Sequence, residues 1–269
     1  MYPLTDTHCH LYFNTFDHDR AAVLDRACQV GVYRILVPGI DLPSFDAAVE
    51  LADSSPNVFI ALGVHPNSSQ TWDDRTGRTL RSLVKHPKVV AIGEIGLDYY
   101  RQRALQETQQ DVLREQLELA AECELPVIIH NRQAAQELLG ILSEWLAELQ
   151  AQGSPLAGRP GVLHSFSGTL EFAHQAIELG FFLGISGPVT FTNARNLQQV
   201  VAQLPLDKLF IETDAPFLTP HPYRGKRNEP THVVLIADKI SQLQRQPLEV
   251  VAQRTTENAN ELFSWGEPH

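Results

Sequence analysis

Cysteine is scarce in this sequence, and the cysteines that are present form no recognisable pattern. There are 3 in 269 residues, namely Cys9, Cys28 and Cys123, an odd number without a Cys-x-x-Cys pair. This spacing argues against a disulfide framework and against a structural zinc site made of thiolates. Free cysteines fit the reducing cytoplasm, where we expect the protein to reside.

Long apolar runs are also absent. No window reaches the roughly 18 consecutive apolar residues that a membrane-spanning helix needs. The first residues carry no basic stretch followed by an apolar one, as a secretory signal would. We therefore expect neither membrane association nor export. Low-complexity segments and solenoid repeats are missing too, so residues 1–269 are predicted to form a single domain.

Positive charge is in short supply. The chain has 21 Lys and Arg against 32 Asp and Glu, for a formal net charge of −11. Nucleic acids and anionic membranes select basic surfaces, so this balance excludes a protein that coats either of them broadly. A substrate that carries phosphate would have to be bound by a few local cations. No feature indicates an obligate protein partner.

What the sequence does contain is a regular alternation of strand-like and helix-like runs. Short runs rich in β-branched residues predict eight strands, one around His8 and His10 and the others at 33–37, 58–62, 89–92, 127–130, 162–164, 181–185 and 209–214. Apolar residues at helical spacing predict helices near 19–30, 43–52, 75–85, 105–123, 133–150, 169–179, 194–203, 230–243 and 247–263. Eight such units without a linker predict an α/β fold, a (β/α)₈ TIM barrel in a single domain. An open doubly wound sheet is the structural alternative.

In a barrel of this kind the functional residues gather at the carboxyl ends of the strands. Metal-compatible side chains lie at the ends of six of the eight predicted strands: His8, His10, His65, Glu94, His130, His164 and Asp214. A lone His at a strand end is more often a core or capping residue than a ligand, and a single His-x-His pair is a weak signal. Seven such groups at one rim are better explained by a metal site.

The types of ligand indicate which metals would bind. Imidazoles and carboxylates without sulfur suit borderline or hard divalent cations, and a carboxylate can bridge two of them. We therefore predict two divalent cations per chain and leave their identity open among Zn²⁺, Mg²⁺ and Mn²⁺. Glu212 faces the same side of its strand as Asp214 but one layer deeper, so it is predicted to orient a ligand imidazole.

Other polar and aromatic residues near the rim have two interpretations each. Arg132, two residues beyond His130, and the basic segment 223–230 are suited to binding phosphate, or they form a loop salt bridge and a solvated loop. Tyr99 and Tyr100 could stack on a base, although burial in the barrel mouth better explains one of them. The remaining histidines are interpreted as surface residues: His18, His86, His174, His221, His232 and His269.

Seven short motifs follow one another along the chain: Thr-His-Cys-His at 7–10, Gly-Val-His-Pro at 63–66, Gly-Glu-Ile-Gly-Leu-Asp-Tyr at 93–99, His-Asn-Arg at 130–132, His-Ser-Phe-Ser-Gly at 164–168, Glu-Thr-Asp-Ala-Pro at 212–216 and Arg-Asn-Glu-Pro at 227–230. In this order they resemble the TatD family of metal-dependent deoxyribonucleases over the length of the chain. The resemblance implies an amidohydrolase-like barrel in which six of these residues hold the metals, namely His8, His10, Glu94, His130, His164 and Asp214. Many members of the family have an acidic residue where this chain has Gln133. This difference concerns a loop contact and not the metal site.

The resulting hypothesis is a metal-dependent phosphodiesterase acting on nucleic acid, similar to the family's 3′-to-5′ exodeoxyribonucleases that act on DNA ends. Glu94 would bridge the two ions and Asp214 would accept a proton, and both are candidate catalytic residues. The candidate substrate-binding residues are His65, Arg132, Tyr99 and Arg227. One alternative is an amide or ester hydrolase, such as a deacylase, of the same barrel type. Another is a barrel that binds metal without catalysing a reaction.

Overall fold

Eight parallel strands pair in chain order, each with its neighbours in sequence. The computed structural model describes residues 2–265, and in that range the strands are β1 Leu4–Asp6, β2 Val32–Gly39, β3 Val58–Leu62, β4 Val89–Asp98, β5 Val127–Arg132, β6 Gly161–Leu163, β7 Phe182–Ile185 and β8 Leu209–Ile211. The predicted (β/α)₈ barrel is confirmed. The doubly wound alternative is wrong, because it requires the strand order to reverse within the sheet.

Helices follow the strands at the predicted places. Within residues 2–265 they are α1 Arg20–Gln29, α2 Leu42–Ser54, α3 Asp74–Leu83, α4 Gln106–Cys123, α5 Ala135–Ala151, α6 Leu170–Glu178, α7 Arg195–Val201, α8 Val233–Gln244 and α9 Leu248–Leu262. Local chemistry explains where some of them begin. The side chain of Asp41 accepts a hydrogen bond from Ser44 N before α2, and Thr169 caps α6 in the same way through Phe172 N.

The interior of the barrel is packed by alternate residues of each strand. Ile128 of β5 and Phe210 of β8 belong to one buried cluster with Phe263 and Trp265, which follow α9. The end of α9 therefore covers the amino-terminal end of the barrel. Because side chains alternate along a strand, the residues two positions beyond Ile128 and Phe210 also face the barrel axis, nearer the carboxyl-terminal rim.

Contacts beyond β1 and β8 close the barrel. Thr7 N donates to Ile211 O (3.2 Å), Asp214 N donates to His8 O (2.8 Å) and His10 N donates to Ala215 O (2.7 Å). The predictions that strand 8 continues to Asp214 and that the His pair lies within a strand are therefore wrong. Asp214 has a left-handed backbone, with φ of 56°, which a strand cannot accommodate. The segments that close the barrel are thus the ones that carry candidate ligands.

Two expectations from composition can be checked on the structure. No helix within residues 2–265 is both long and apolar enough to cross a bilayer. All three cysteines are free, with Cys9 buried, Cys28 exposed and Cys123 partly buried.

Candidate metal centre

One group of candidate ligands surrounds the Oε2 atom of Glu94. His8 Nε2 lies 3.4 Å and His10 Nε2 lies 3.8 Å from this oxygen, and the two nitrogens are 3.3 Å apart. Asp214 Oδ1 completes the group at 3.9 Å from His8 Nε2 and 3.5 Å from His10 Nε2. The imidazoles of His8 and His10 therefore lie against the carboxylates of both Glu94 and Asp214.

A second group surrounds the other oxygen of the same carboxylate. Glu94 Oε1 lies 2.7 Å from His130 Nδ1 and 3.8 Å from His164 Nε2. His65 Nε2 is 3.5 Å from Oε1 as well. Glu94 thus lies between two sets of candidate ligands and presents one oxygen to each, which is the arrangement of a bridging carboxylate.

A close approach of β4 and β5 brings Glu94 against His130. Gly96 pairs with His130 in the register of these strands. Its φ is +141°, and a Cβ at this position would lie 2.0 Å from His130 O. Only glycine adopts this backbone without strain and leaves room for the neighbouring strand. The Gly-Glu-Ile-Gly segment therefore positions the Glu94 carboxylate beside His130.

Glu212 contacts His164 on the side of its ring that faces away from Glu94. The Nδ1 atom of His164 lies 2.8 Å from Glu212 Oε1, so its Nε2 atom faces Glu94. Ser165 N also donates to Glu212 Oε1, at 2.5 Å. A Cβ at Gly184 would lie 2.4 Å from Glu212 Oε2, so a glycine there makes space for the carboxylate. Glu212 thus contacts the imidazole of a candidate ligand, as the sequence predicted.

Asp98 is a site residue that the sequence interpretation missed. It is buried, and its Oδ2 atom lies 3.4 Å from His130 Nε2. Its Oδ1 atom accepts from Tyr100 N at 3.0 Å. The residue lies four positions after Glu94 on the same face of β4, so the alternation rule that identified Glu212 would have identified Asp98 as well.

Asp6 was missed too. Its fully buried carboxylate accepts from Thr213 N at 2.8 Å and from Thr213 Oγ1 at 2.5 Å. Burial raises the pKa of Asp6 to about 8. Through Thr213 the side chain connects β1 to the residue that precedes Asp214, so it stabilises the closure on which the first ligand group depends.

The charge state of the cluster suits metal binding. Burial would raise the pKa of Glu94, but the charge of His164 and the hydrogen bond to His130 hold it well below its usual range. Burial alone would lower the pKa of His164, whereas the carboxylates of Glu212 and Glu94 raise it to about 10, so a metal ion that binds this imidazole would displace a proton from it. Three carboxylates, those of Glu94, Glu212 and Asp214, therefore share a nearly buried volume, and such a concentration of negative charge needs cations.

The distances also fit metal ions. Two ligand atoms at 2.0–2.1 Å from a tetrahedral zinc ion are about 3.3–3.4 Å apart. In the first group the spacings among His8, His10 and Glu94 are 3.3, 3.4 and 3.8 Å. The donors are imidazole nitrogens and carboxylate oxygens, which borderline and hard divalent cations accept. The residues present therefore fit the predicted cations.

A backbone hydrogen bond determines the tautomer of His65. Asn67 N donates to its Nδ1 atom at 3.0 Å, so the lone pair of Nδ1 is in use. Burial lowers the pKa of His65 to about 3, and the neutral ring therefore carries its proton on Nε2. The Nε2 atom faces the ligand cluster as a hydrogen-bond donor. This assignment favours a contact with substrate over coordination of a metal.

The structure separates the remaining candidate substrate residues. Arg132 is exposed, and its guanidinium lies 4.0 Å from the centre of the Tyr100 ring. No carboxylate of residues 2–265 pairs with it, so the loop salt bridge is wrong for this residue.

Tyr99 packs against the core and its hydroxyl accepts from Gln110 Nε2 at 2.8 Å. Tyr100, not Tyr99, is the ring exposed at the rim.

The guanidinium of Arg227 is hydrogen-bonded to residues outside the two ligand groups. It donates to Asp19 at 2.6 and 2.8 Å and to Glu229 at 3.0 Å, and it lies over the Phe16 ring. These contacts connect the segment after β8 to the start of α1. We therefore correct the expectation that Arg227 binds substrate, because its hydrogen bonds are committed within the fold.

The histidines assigned to the surface are only partly where they were expected. His18, His174 and His221 are exposed, whereas His86 is partly buried beside Asp53 at 3.0 Å. His232 is also partly buried, stacks on Tyr223 and bonds to Asn228 Oδ1 at 2.8 Å, so its surface assignment is wrong. His269 lies outside the described residues.

An eight-stranded barrel with such a set of imidazoles and carboxylates at its rim is typical of metal-dependent hydrolases with a barrel fold. The model of the family described as TatD related DNase matches residues 5–264. The chain belongs to the TatD family of metal-dependent hydrolases.

Individual relatives agree with this placement. The chain is 42% identical over 260 residues to YabD of Bacillus subtilis, named as an uncharacterized metal-dependent hydrolase, with 97% of this chain and 98% of the relative covered. It is 36% identical over 254 residues to the 3′-5′ ssDNA/RNA exonuclease TatD of Cronobacter turicensis, with 92% and 93% covered. The crystal structure of YjjV, a TatD homolog from Escherichia coli K12, superimposes with a TM-score of 0.89 at 35% identity and covers 97% of this chain and 98% of its own.

The contact between Glu212 and His164 can be tested by mutation. Glu212→Gln retains the shape of the side chain and removes its charge, so it should lower metal affinity or activity by roughly 10- to 100-fold, as is usual for carboxylates that orient a ligand histidine. Competition with a fluorescent chelator measures the affinity. Glu178→Gln, at the end of α6, is the control. Unchanged metal affinity and activity in Glu212→Gln would show that the contact serves packing alone.

Proposed function

We propose that this protein is a two-metal phosphodiesterase that hydrolyses nucleic acid from a 3′ end, principally DNA. The observation that carries the proposal is the pair of ligand groups that share Glu94, with the donors His65 and Arg132 at the same rim. Two divalent ions bridged by a carboxylate are a common arrangement for displacement at phosphorus. The name of the Cronobacter turicensis relative supports the same substrate.

The ligand groups suggest how the two ions are held. His8, His10 and Asp214 would hold one ion, His130 and His164 the other, and Glu94 would bridge them. When bound, the ions lower the pKa of a water molecule and stabilise the negative charge that develops on the phosphate. Their identity stays open among Zn²⁺, Mg²⁺ and Mn²⁺, because imidazole and carboxylate ligands do not select one of the three.

Asp214 would accept the proton of the attacking water. Burial would raise its pKa, but the hydrogen bond with His10 and the charges of His164 and His8 hold it below the usual value, so the carboxylate is ionised. As the water oxygen forms its bond to phosphorus, the proton passes to Asp214. The bond from phosphorus to the 3′ oxygen breaks, and that oxygen takes up a proton from solvent water to become a hydroxyl.

Two donors would orient the phosphate. The Nε2 proton of His65 points into the ligand cluster and can bond to a non-bridging phosphate oxygen. Arg132 follows His130 on β5, and its guanidinium stacks on Tyr100 without a carboxylate partner among residues 2–265. Stacking fixes the plane of the guanidinium and leaves its edge free for a phosphate.

The main alternative is an amide or ester hydrolase of the same barrel type. An uncharged acyl substrate would leave the exposed guanidinium of Arg132 at the rim without a function. A barrel that binds metal without catalysis would need neither the proton acceptor nor these donors. These observations favour the phosphodiesterase. The cytoplasmic location and the lack of an obligate protein partner stay predictions.

A panel of substrates tests the proposed function. Purified protein is incubated with end-labelled single-stranded DNA, duplex DNA, RNA and an acylated amino acid, each in Mg²⁺, Mn²⁺ or Zn²⁺. We expect mononucleotides to be released from the 3′ end of DNA and no deacylation. Rapid deacylation without cleavage of any nucleic acid would establish the alternative, and a covalently closed circle that is nicked would show endonuclease action.

Arg132→Ala should raise KM for oligonucleotides about tenfold with little change in kcat, because it removes a contact made by the bound phosphate in both ground and transition states. The thermal midpoint should hardly change, since Arg132 is exposed and has no ion pair in the described structure. The control is Arg78→Ala on α3, which also removes an exposed arginine. A fall of several degrees in the thermal midpoint with an unchanged KM would show that Arg132 braces its loop.

A further inference from the structure

Exposed apolar side chains concentrate on two loops of the rim. Among residues 2–265, seven large hydrophobic side chains are exposed. Four of them lie on residues 99–105, here called the β4 loop, and on residues 215–228, the β8 loop: Tyr100, Leu105, Phe217 and Tyr223. Tyr100 is 55% and Phe217 is 51% exposed. Large exposed rings near a catalytic site mark a surface that binds a partner or substrate.

The same two loops are basic. The β4 loop contains Arg101 and Arg103, the β8 loop contains Arg224, Lys226 and Arg227, and neither loop contains an Asp or Glu. The whole chain has a net charge of −11. Apart from Arg227, these cations are exposed and have no ion-pair partner in the described part of the chain. Unpaired positive charge so confined attracts a polyanion.

The loops lie on opposite sides of the metal centre. The strands pair in the order β1 to β8, so β4 and β8 face each other across the barrel. Phe217 N donates to Asp214 O at 2.8 Å, and the Phe217 ring is 6.2 Å from the ring of His10. On the other side, the Asp98 side chain accepts from Tyr100 N and lies beside His130. Phe217 is therefore adjacent to the first ligand group, and Tyr100 is adjacent to the second.

Two cations of the β8 loop lie against aromatic rings. The guanidinium of Arg224 lies 3.9 Å from the centre of the Phe191 ring, and Lys226 Nζ lies 5.7 Å from that of Tyr223. Proteins that bind single-stranded nucleic acid combine aromatic platforms for the bases with cations that follow the phosphates. In duplex DNA the faces of all but the terminal bases are covered by their neighbours, so exposed rings favour single strands.

We propose that the β4 loop and the β8 loop are two arms of a binding surface for single-stranded nucleic acid that spans the metal centre. Tyr100 and Phe217 each stack on a base, one on either side of the reacting phosphate. The neighbouring phosphates are bound by Arg101, Arg103, Arg224 and Lys226. The inference rests on the proposed function, since the strand bound by these loops is its substrate.

Equilibrium binding in EDTA tests the loops without hydrolysis. The probe is a fluorescein-labelled oligothymidylate of about ten nucleotides, a length within the usual range for single-strand sites. Tyr100→Leu and Phe217→Leu should each weaken binding roughly tenfold, since either removes one stacking platform. A blunt duplex of the same length should bind the wild-type protein more weakly than the single strand.

The salt dependence of binding tests the cations. Each phosphate contact on a single strand contributes about −0.7 to the slope of log K against log salt. The pairs Arg101→Gln with Arg103→Gln and Arg224→Gln with Lys226→Gln should therefore each make the slope shallower by about 1.4. The matched control is Arg78→Gln with Lys85→Gln, two exposed cations on and next to α3, which should leave the slope unchanged.

A second substrate separates this inference from the proposed function. Methyl 4-nitrophenyl phosphate is a phosphodiester without a base. The metal-loaded Phe217→Leu variant and the two double-cation variants should hydrolyse it within about twofold of the wild-type rate, whereas Tyr100→Leu is left out of this comparison because Tyr100 also stacks on Arg132. Loop variants that bind the oligomer as the control does, or a wild-type protein that does not bind it, would overturn the loop assignment. Wild-type protein that binds the oligomer through these loops and cleaves neither substrate would overturn the proposed function alone.

Discussion

Glu94→Gln should lower kcat by roughly 10³-fold, since a carboxylate that bridges two ions supports several kcal/mol of transition-state stabilisation. In the structure its two oxygens face separate ligand groups, with His8 Nε2 at 3.4 Å from Oε2 and His130 Nδ1 at 2.7 Å from Oε1. An amide at this position presents one oxygen and one NH₂ group, and the NH₂ group cannot bind a cation. Both ions should therefore be bound more weakly.

Metal analysis after dialysis measures this effect. The wild-type protein should approach two ions per chain, whereas Glu94→Gln should retain distinctly fewer. Glu118→Gln, an exposed residue on the outer side of α4, is the control for a change of one charge. The thermal midpoint in EDTA shows whether the fold is retained. Full activity of the wild-type protein at one equivalent of metal would contradict the two-ion site.

Asp214→Asn should reduce kcat by about 10²- to 10⁴-fold, the usual contribution of a positioned proton acceptor. Asparagine keeps an oxygen that can face His10 and the first ion, but its neutral amide cannot take up the proton of the attacking water. The effect should therefore appear mainly in kcat, with a smaller change in KM. Substrate binding by the β4 and β8 loops does not involve this carboxylate.

Steady-state kinetics and metal analysis on the same preparation separate the two roles of Asp214. If it is the proton acceptor, the loss of kcat should exceed any loss of metal and should persist at saturating metal. Asp214→Glu, which restores the carboxylate, should regain part of the activity. A loss of activity that saturating metal fully reverses would show that Asp214 serves only as a ligand.

Several residues near the rim could not be assigned from the sequence because their roles depend on partners far away in the chain. Arg132 and Arg227 are both basic residues in rim segments, yet one is free to bind substrate and the other is paired with Asp19. Asp19 lies 208 positions from Arg227, and no local pattern predicts such a contact. The same limit explains Tyr99 and Tyr100, adjacent residues of which only the second is exposed.

Other residues were missed although the sequence contained the signal. Asp98 is four positions after Glu94, and Asp6 is two positions before His8. Asp98 shares the face of β4 with Glu94, and the strand predicted around His8 would place Asp6 on the face of His8, so the rule that identified Glu212 applies to both positions. The structure shows what each contacts, His130 for Asp98 and Thr213 for Asp6.

The sequence by itself determined the barrel and the candidate ligands. Strand-like and helix-like runs are local patterns, and the parallel order follows from their alternation. A ligand at the carboxyl end of each such strand must reach the same rim. These inferences need only the neighbours of each residue along the chain.

Only the tertiary structure shows which contacts distinguish these residues from one another. The two oxygens of Glu94 face different imidazoles, His8 on one side and His130 on the other, and the hydrogen bond from Asn67 N fixes the tautomer of His65 and makes it a donor. The placement of the β4 and β8 loops across the barrel brings their rings and cations to one surface. Each of these facts depends on distances between atoms that the fold brings together, and such distances are not encoded in any local run of residues.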